Sequence, residues 1–418
     1  MTTATAHGTR GGEWLIVATD PGTVMTRERI TDEHRLIEQS TAEFMSGEVL
    51  PVLDRLEQKD WALNRVLLQK CGALGLLGTN VSDSYGGVDL DKVATLIVSE
   101  QVAVNASFAA TFGAQANLTI LPIYLFGTEA QKTTYLPALV AGDLAGAYCL
   151  SESGSGSDAL GAAAKALRQA DGSFALSGEK MWITNGGFAD VFIVFAKVDG
   201  EHFTAFIVER GWPGVSSGKE EHKMGLHGSS TTPVILQDVA VPAGAVLGEI
   251  GKGHKVAFNV LNFGRFKLGA MTSGGAKNAI ADSARYAAAR KQFGVPIASF
   301  GAIRHKLGEM TAREYALESL LYRAAGLSTR PSTPREARPR RCCRRWRSSR
   351  SRRRLPRSTA ARPWTTSSTR ACRFTVAMAS SPTIRWSGAT ATRGSIASSK
   401  ARTRSTACSS RACSSRRP

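Results

Sequence analysis

Residues 331 to 418 contain one carboxylate, Glu336, against 23 lysines and arginines. Residues 1 to 330 show no such imbalance: 30 basic residues face 33 acidic ones, a net charge of −3. The formal charge of +19 therefore belongs to the tail alone, and the body carries no electrostatic signature of a polyanion-binding protein. Cysteine is scarce in the body, which holds only Cys71 and Cys149; Cys342, Cys343, Cys372, Cys408 and Cys413 lie in the tail. Two isolated thiols make no disulfide framework and fit a reducing compartment. Long apolar runs are also missing. Trp14–Ala18 is shorter than a signal-peptide core and nothing approaches the ~20 residues of a membrane span, so a soluble cytoplasmic protein is expected. No H-x-x-x-H or C-x-x-C pattern occurs, so no metal site is expected.

Five segments follow from composition and periodicity. Residues 1–28 read as a turn-rich arm. Residues 29–146 read as an N-terminal helical domain, with apolar residues at three- and four-residue spacing and Thr31 placed to cap the first helix. Over 147–250 the period changes to short β-branched and aromatic runs such as VFIVFAKV and FTAFIVE, predicting a middle antiparallel β domain. Residues 251–327 return to helical spacing as the first part of a C-terminal bundle, and 328–418 form a basic tail without periodicity. The expected class is α+β multidomain, with the last helical bundle incomplete.

Two motifs sit at the joints. AYCLSESGSGSDA, Ala147 to Ala159, packs glycine and serine densely enough to expose backbone N–H groups and hydroxyls, which suits a cofactor with phosphates or a polar ring edge. A flexible linker reads equally well. MWITNGG, Met181 to Gly187, is a strand ending in a turn; Trp182 offers a flat apolar surface, and Thr184, two residues on, a hydroxyl on the same face. Ordinary sheet core is the alternative.

Together with YGG (Tyr85 to Gly87), MGLHGSSTTPV, DVAVP, LNFGRF and ARKQFGVPI, these motifs resemble the acyl-CoA dehydrogenase family over about residues 29 to 327. The GGEWLI stretch near the start resembles bacterial members related to the very-long-chain branch. The resemblance implies an FAD-dependent oxidoreductase of fatty-acid β-oxidation that acts on an acyl-CoA and passes electrons to an electron-transferring flavoprotein. It places the flavin against Tyr148, Leu150, Ser151, Gly156, Ser157, Trp182, Ile183 and Thr184. Arg290, Gln292 and Phe293 would reach the flavin of a neighbouring subunit, implying a homodimer or homotetramer. Ser157, Asn262 and Arg265 would meet the substrate. His227 stands where the family more often has arginine, and Gly301 where it has glutamine.

The catalytic base is missing from this pattern. Dehydrogenation of an acyl thioester needs a carboxylate to take the α proton. In one branch of the family it precedes the long-helix arginine, where this chain has Gly264; in the other it lies in a late F-E-G-T-N-E-I-like segment. Reading residues 371–379, ACRFTVAMA, from the third base of each codon is compatible with VQIHGGNG, a second flavin motif of the family. Residues 396–409 at the same offset are compatible with RIFEGTNEINRLL, whose glutamate codon straddles Ser399 and Lys400. Met378 leaves no freedom, because its single codon and the start of Ala379 spell glycine. The stretch PRRCCRRWRSSRSRRR, Pro339 to Arg354, is then the out-of-frame product of a GC-rich gene, with the slip near residues 326–337. The rival readings are a disordered basic arm that binds nucleic acid through phosphates, or a degenerate scaffold.

Overall fold

In the computed structural model the described residues are 20–329. The expected arm up to residue 19 and the expected tail from 330, including the codon-shifted motifs, lie outside them. Helices come first. Asp32–Phe44 (α1) is capped as the sequence predicts, with Thr31 Oγ1 accepting from the His34 N–H at 3.3 Å. Leu53–Glu57 (α2) and Trp61–Ala73 (α3) follow, then Lys92–Val102 (α4), Ala106–Gly113 (α5), Leu121–Phe126 (α6) and Glu129–Ala141 (α7). Asp60, Asp91 and Asn105 cap α3, α4 and α5 through side-chain oxygens. Two π-helical stretches, Met45–Val49 and Ala114–Ile120, interrupt the α-helical ladder. Helix α7 stops at Gly142, whose φ of 82° suits glycine and whose missing Cβ would meet the Leu68 carbonyl at 2.5 Å.

Strands Gly146–Cys149 (β1), Lys165–Arg168 (β2), Phe174–Thr184 (β3), Val191–Val198 (β4), His202–Glu209 (β5), Val215–Ser217 (β6), Thr231–Val241 (β7) and Val246–Leu247 (β8) form one sheet in the order β6-β7-β3-β2-β4-β5-β8. Most ladders are antiparallel, as expected. Strand β4 departs from that plan, pairing in parallel with both β1 and β2. Each of those parallel partners reaches β4 by a crossover rather than a tight hairpin, which local turn signals do not reveal. Both faces of β4 are covered. Ile193 and Phe195 pack with the helical core, while Phe192 and Val194 join a second core with Leu176, Val234 and Leu236. That double burial explains why β4 reads as an unbroken apolar run. The sheet coils on itself, bringing the rings of Phe174 on β3 and Phe206 on β5 to 5.5 Å.

Gly253–Ala289 (α8) leaves the sheet as a 37-residue helix and ends at a small hairpin, Lys291–Gln292 (β9) with Val295–Pro296 (β10). Gly301–Thr329 (α9) returns alongside it. A third core joins α4, α8 and α9 through Leu96, Ile97, Phe266, Ala270, Leu321 and Tyr322. The helix, sheet, helix order matches the expected class. Among the described residues no helix is long and apolar enough to cross a membrane.

Candidate flavin site

The sequence of β3 explains the exposure of its tryptophan. Phe174, Leu176 and Lys180 point inward at even positions. Between Lys180 and Ile183 the strand carries one more residue than β7 opposite it, a β-bulge that reverses the parity. Ile183 then turns into the second core at 2 % exposure and Trp182 is everted at 57 %. Trp182 adopts φ 57°, a left-handed conformation that bulky side chains avoid. Thr184 is half-buried beyond it. A large apolar side chain held outward at a conformational penalty is a feature expected of a binding surface rather than of sheet core.

The Ser/Gly loop lies beside this bulge, where the Met181 N–H donates to the Ser151 carbonyl at 2.9 Å. Ser153, Gly154, Gly156, Ser157 and Asp158 are exposed, and a Cβ added at Gly154 or Gly156 would meet nothing within 4 Å. Glu152 and Ser155 bond each other's backbone at 2.9 and 3.1 Å, and Ser155 Oγ donates to the Asp158 carbonyl at 2.7 Å. The loop is thus a shaped turn with an open face, not a linker. Leu150 and Ser151 are half-buried at its start. Tyr148 is buried against Phe195, and its hydroxyl is buried without a hydrogen-bond partner; burial pushes that hydroxyl far above the usual tyrosine range. The side chains of Tyr148 and Ile183 are therefore turned into the core, whereas Gly156, Ser157 and Trp182 are exposed and Leu150, Ser151 and Thr184 half-buried.

The other predicted residues are on or beyond α8. Arg265 donates to Asn262 Oδ1 at 2.8 Å, one turn away. Gly264, between them, faces Leu118 of the π-helical stretch that packs on β1. Arg290, Gln292 and Phe293 sit past the far end of the helix, about 37 Å along its axis from Arg265 at 1.5 Å per residue. Phe293 is 93 % exposed. These three are not gathered with the loop by α8. The sequence reading missed Glu152, Lys180 and Asn185 as site-forming residues. The signal was available for Lys180, a charged residue at an inward position of a strand. Asn185 is buried, at φ 65°, and its Nδ2 donates to the carbonyls of Thr111 and Gly146, at 3.2 and 3.1 Å, tying the turn after β3 to α5 and β1.

A flat, partly apolar ring with polar edges fits this combination of an everted indole, a threonine hydroxyl and an open Ser/Gly turn. Comparison with known proteins agrees. Residues 31–143, 147–239 and 251–339 match the sequence models of the acyl-CoA dehydrogenase N-terminal, middle and C-terminal domains. A probable acyl-CoA dehydrogenase of Bacillus subtilis (strain 168) is 48% identical over 319 residues, which cover 76% of this chain and 54% of that protein. The short-chain specific acyl-CoA dehydrogenase of Megasphaera elsdenii is 42% identical over 270 residues, 63% of this chain and 70% of that protein. The crystal structure of an acyl-CoA dehydrogenase complexed with FAD from Bacillus anthracis superposes with a TM-score of 0.79 at 48% identity, over 81% of this chain and 59% of that one. The chain thus spans little more than half the length of two of these relatives. With three family domains matched in order, the chain belongs to the acyl-CoA dehydrogenase family.

Proposed function

We propose that this chain derives from a gene for an FAD-dependent oxidoreductase that introduces a double bond between the α and β carbons of a fatty acyl-CoA, a step of fatty-acid β-oxidation. The everted Trp182 beside the open Ser151–Ser157 loop carries this reading. FAD, when bound, supplies the hydride acceptor. Trp182 presents an apolar wall that excludes water from one side of the site. Thr184 and Ser151 offer hydroxyls to polar atoms of the ring, and the exposed residues Gly156 and Ser157 suit a phosphate or pantetheine end of a ligand. Asn262 and Arg265, hydrogen-bonded to each other on α8, would orient the acyl-CoA together with Ser157.

The distance from Arg265 to Arg290, Gln292 and Phe293 supports their use by a second copy of the chain, as a homodimer or homotetramer. An electron-transferring flavoprotein is the proposed acceptor of the electrons. No residue at the Gly264 position can take the α proton. We therefore assign this chain little or no dehydrogenase activity, the base having been lost to the frame slip whose glutamate codon straddles Ser399 and Lys400. The test is to resequence the coding DNA across residues 320–418 and assay the chain and its frame-restored counterpart with FAD and acyl-CoA. Turnover by the restored chain alone supports both statements. Normal turnover by the chain itself overturns the account of the base, and no turnover by either overturns the activity.

A further inference from the structure

Lys180 is fully buried on β3, and its Nζ lies 2.6 Å from Glu152 Oε1, a carboxylate that is itself 6 % exposed. The same carboxylate accepts from the backbone N–H groups of Ala163 at 2.5 Å and Ala164 at 3.2 Å. Lys180 Nζ also approaches the Leu150 carbonyl at 3.5 Å. One carboxylate therefore holds the beginning of the Ser/Gly loop, its end eleven residues later, and the strand position from which the Trp182 bulge departs. We infer that Glu152 and Lys180 are positioning residues for the flavin site, a charged clamp that fixes the loop and the outward set of Trp182 together.

Stability alone does not account for such a pair. Burial works against the charge on both groups, and apolar side chains of similar size commonly serve a protein core as well or better. Burial acts on Glu152 as well, yet the Lys180 ammonium and the Ala163 amide hold its carboxyl below the usual range, so the carboxylate stays ionised. What the charged pair adds over an apolar one is direction. Glu152 must face inward to meet Lys180 and the two amides, and that turns Ser153, Gly154 and Ser157 outward on the opposite side of the chain. Lys180, drawn to Glu152, fixes the inward parity immediately before the bulge, and the Met181 N–H completes the join to Ser151. Neither residue needs to touch the ligand to act.

The inference rests on the flavin reading above, and two readouts separate them. In the cofactor-free full chain, hydrogen exchange is followed at the amides of Ala163, Ala164 and Met181 for the parent, Lys180→Met, Glu152→Gln and the double variant. FAD affinity is measured on the same proteins and on their frame-restored counterparts by quenching of flavin fluorescence. The clamp predicts exchange at those amides faster by about tenfold or more in each single variant, and FAD affinity weaker by about the same factor. The double variant, having no lone buried charge, should regain thermal stability relative to either single one but not FAD affinity. Unchanged exchange at the three amides overturns the clamp. Recovery of FAD affinity along with stability in the double variant overturns its positioning role and leaves a structural ion pair. If the frame-restored parent fails to bind FAD while the variants lose amide protection, the flavin reading falls and the loop-holding role stands.

Discussion

Ser273 on α8 and Glu314 on α9 are joined by a hydrogen bond of 2.7 Å, and the same hydroxyl lies 2.6 Å from Glu100 on α4. A hydroxyl has one proton to give, so the two carboxyl groups compete for it. Burial, with Glu318 and Glu100 nearby, raises the Glu314 carboxyl above its ordinary value against the opposing pull of Ser273 and Lys277. Lys277 at 3.0 Å and Tyr322 at 3.2 Å complete the shell of Glu100, and Arg27 and Glu318 flank it. A carboxyl raised in the folded state gives stability that is complete below its unfolded value and is lost as pH rises through the raised one. Glu314→Gln, which does not titrate, should flatten that loss with rising pH. Melting temperature against pH for the two chains checks it; parallel curves contradict it.

Lys267 on α8 is 3 % exposed, and no carboxylate among the described residues offsets it. Burial, with Lys92 beside it, pulls its ammonium down to about 7. The unfolded chain then binds more protons than the folded one between about 7 and 10.5, so stability rises with pH across that window. Lys267→Met should remove this slope and stabilise the chain at neutral pH, on the order of a few kcal/mol. Urea unfolding at pH 7 and pH 9 reads both effects, and a destabilised Met variant would show that the amine has a partner.

Asn185→Ala removes two hydrogen bonds from buried carbonyls and puts alanine at φ 65°. The expected loss is about 2–4 kcal/mol. Asn185→Asp should do no better, because a carboxylate would face the Thr111 and Gly146 carbonyls. Equilibrium denaturation of the three chains decides; an aspartate variant as stable as the parent would be inconsistent with the amide acting as donor.

Helices α4 and α8 touch at Gly274, where an added Cβ would lie 2.0 Å from the Glu100 carbonyl oxygen. Gly274→Ala must part the helices and open the third core, for a loss of about 3 kcal/mol or more. Gly275→Ala, one residue on, meets nothing within 4 Å and should be neutral or slightly stabilising. Equal thermal shifts for the two variants would contradict the close approach.

The helix, sheet, helix order was legible because each segment keeps one hydrophobic period over many residues. Thr31 was legible as a cap because capping is local chemistry. The parallel partners of β4 were not, since they depend on crossovers whose direction no turn residue encodes. Trp182 and the Ser/Gly loop could be picked out by composition and family resemblance. Their joining through Glu152 and Lys180 could not, because a charge pair 28 residues apart leaves no periodic trace. The burial of Ile183 and Tyr148 also escaped the sequence. A motif identifies neighbours of a ligand without saying whether the side chain or only the backbone faces it.

Helix α8 has the proportions of a lever arm. Its 37 residues extend about 55 Å, from a root at Gly253 to the hairpin bearing Phe293. At the root, a Cβ would come within 2.8–2.9 Å of the Phe203 and Thr204 backbone, so the first turn is seated flush on β5. A tilt of only about 5° there sweeps the tip through about 5 Å, more than the tolerance of a hydrogen bond. The direction in which α8 carries Arg290 and Gln292 is therefore set by two glycine seats, Gly253 on β5 and Gly274 on α4.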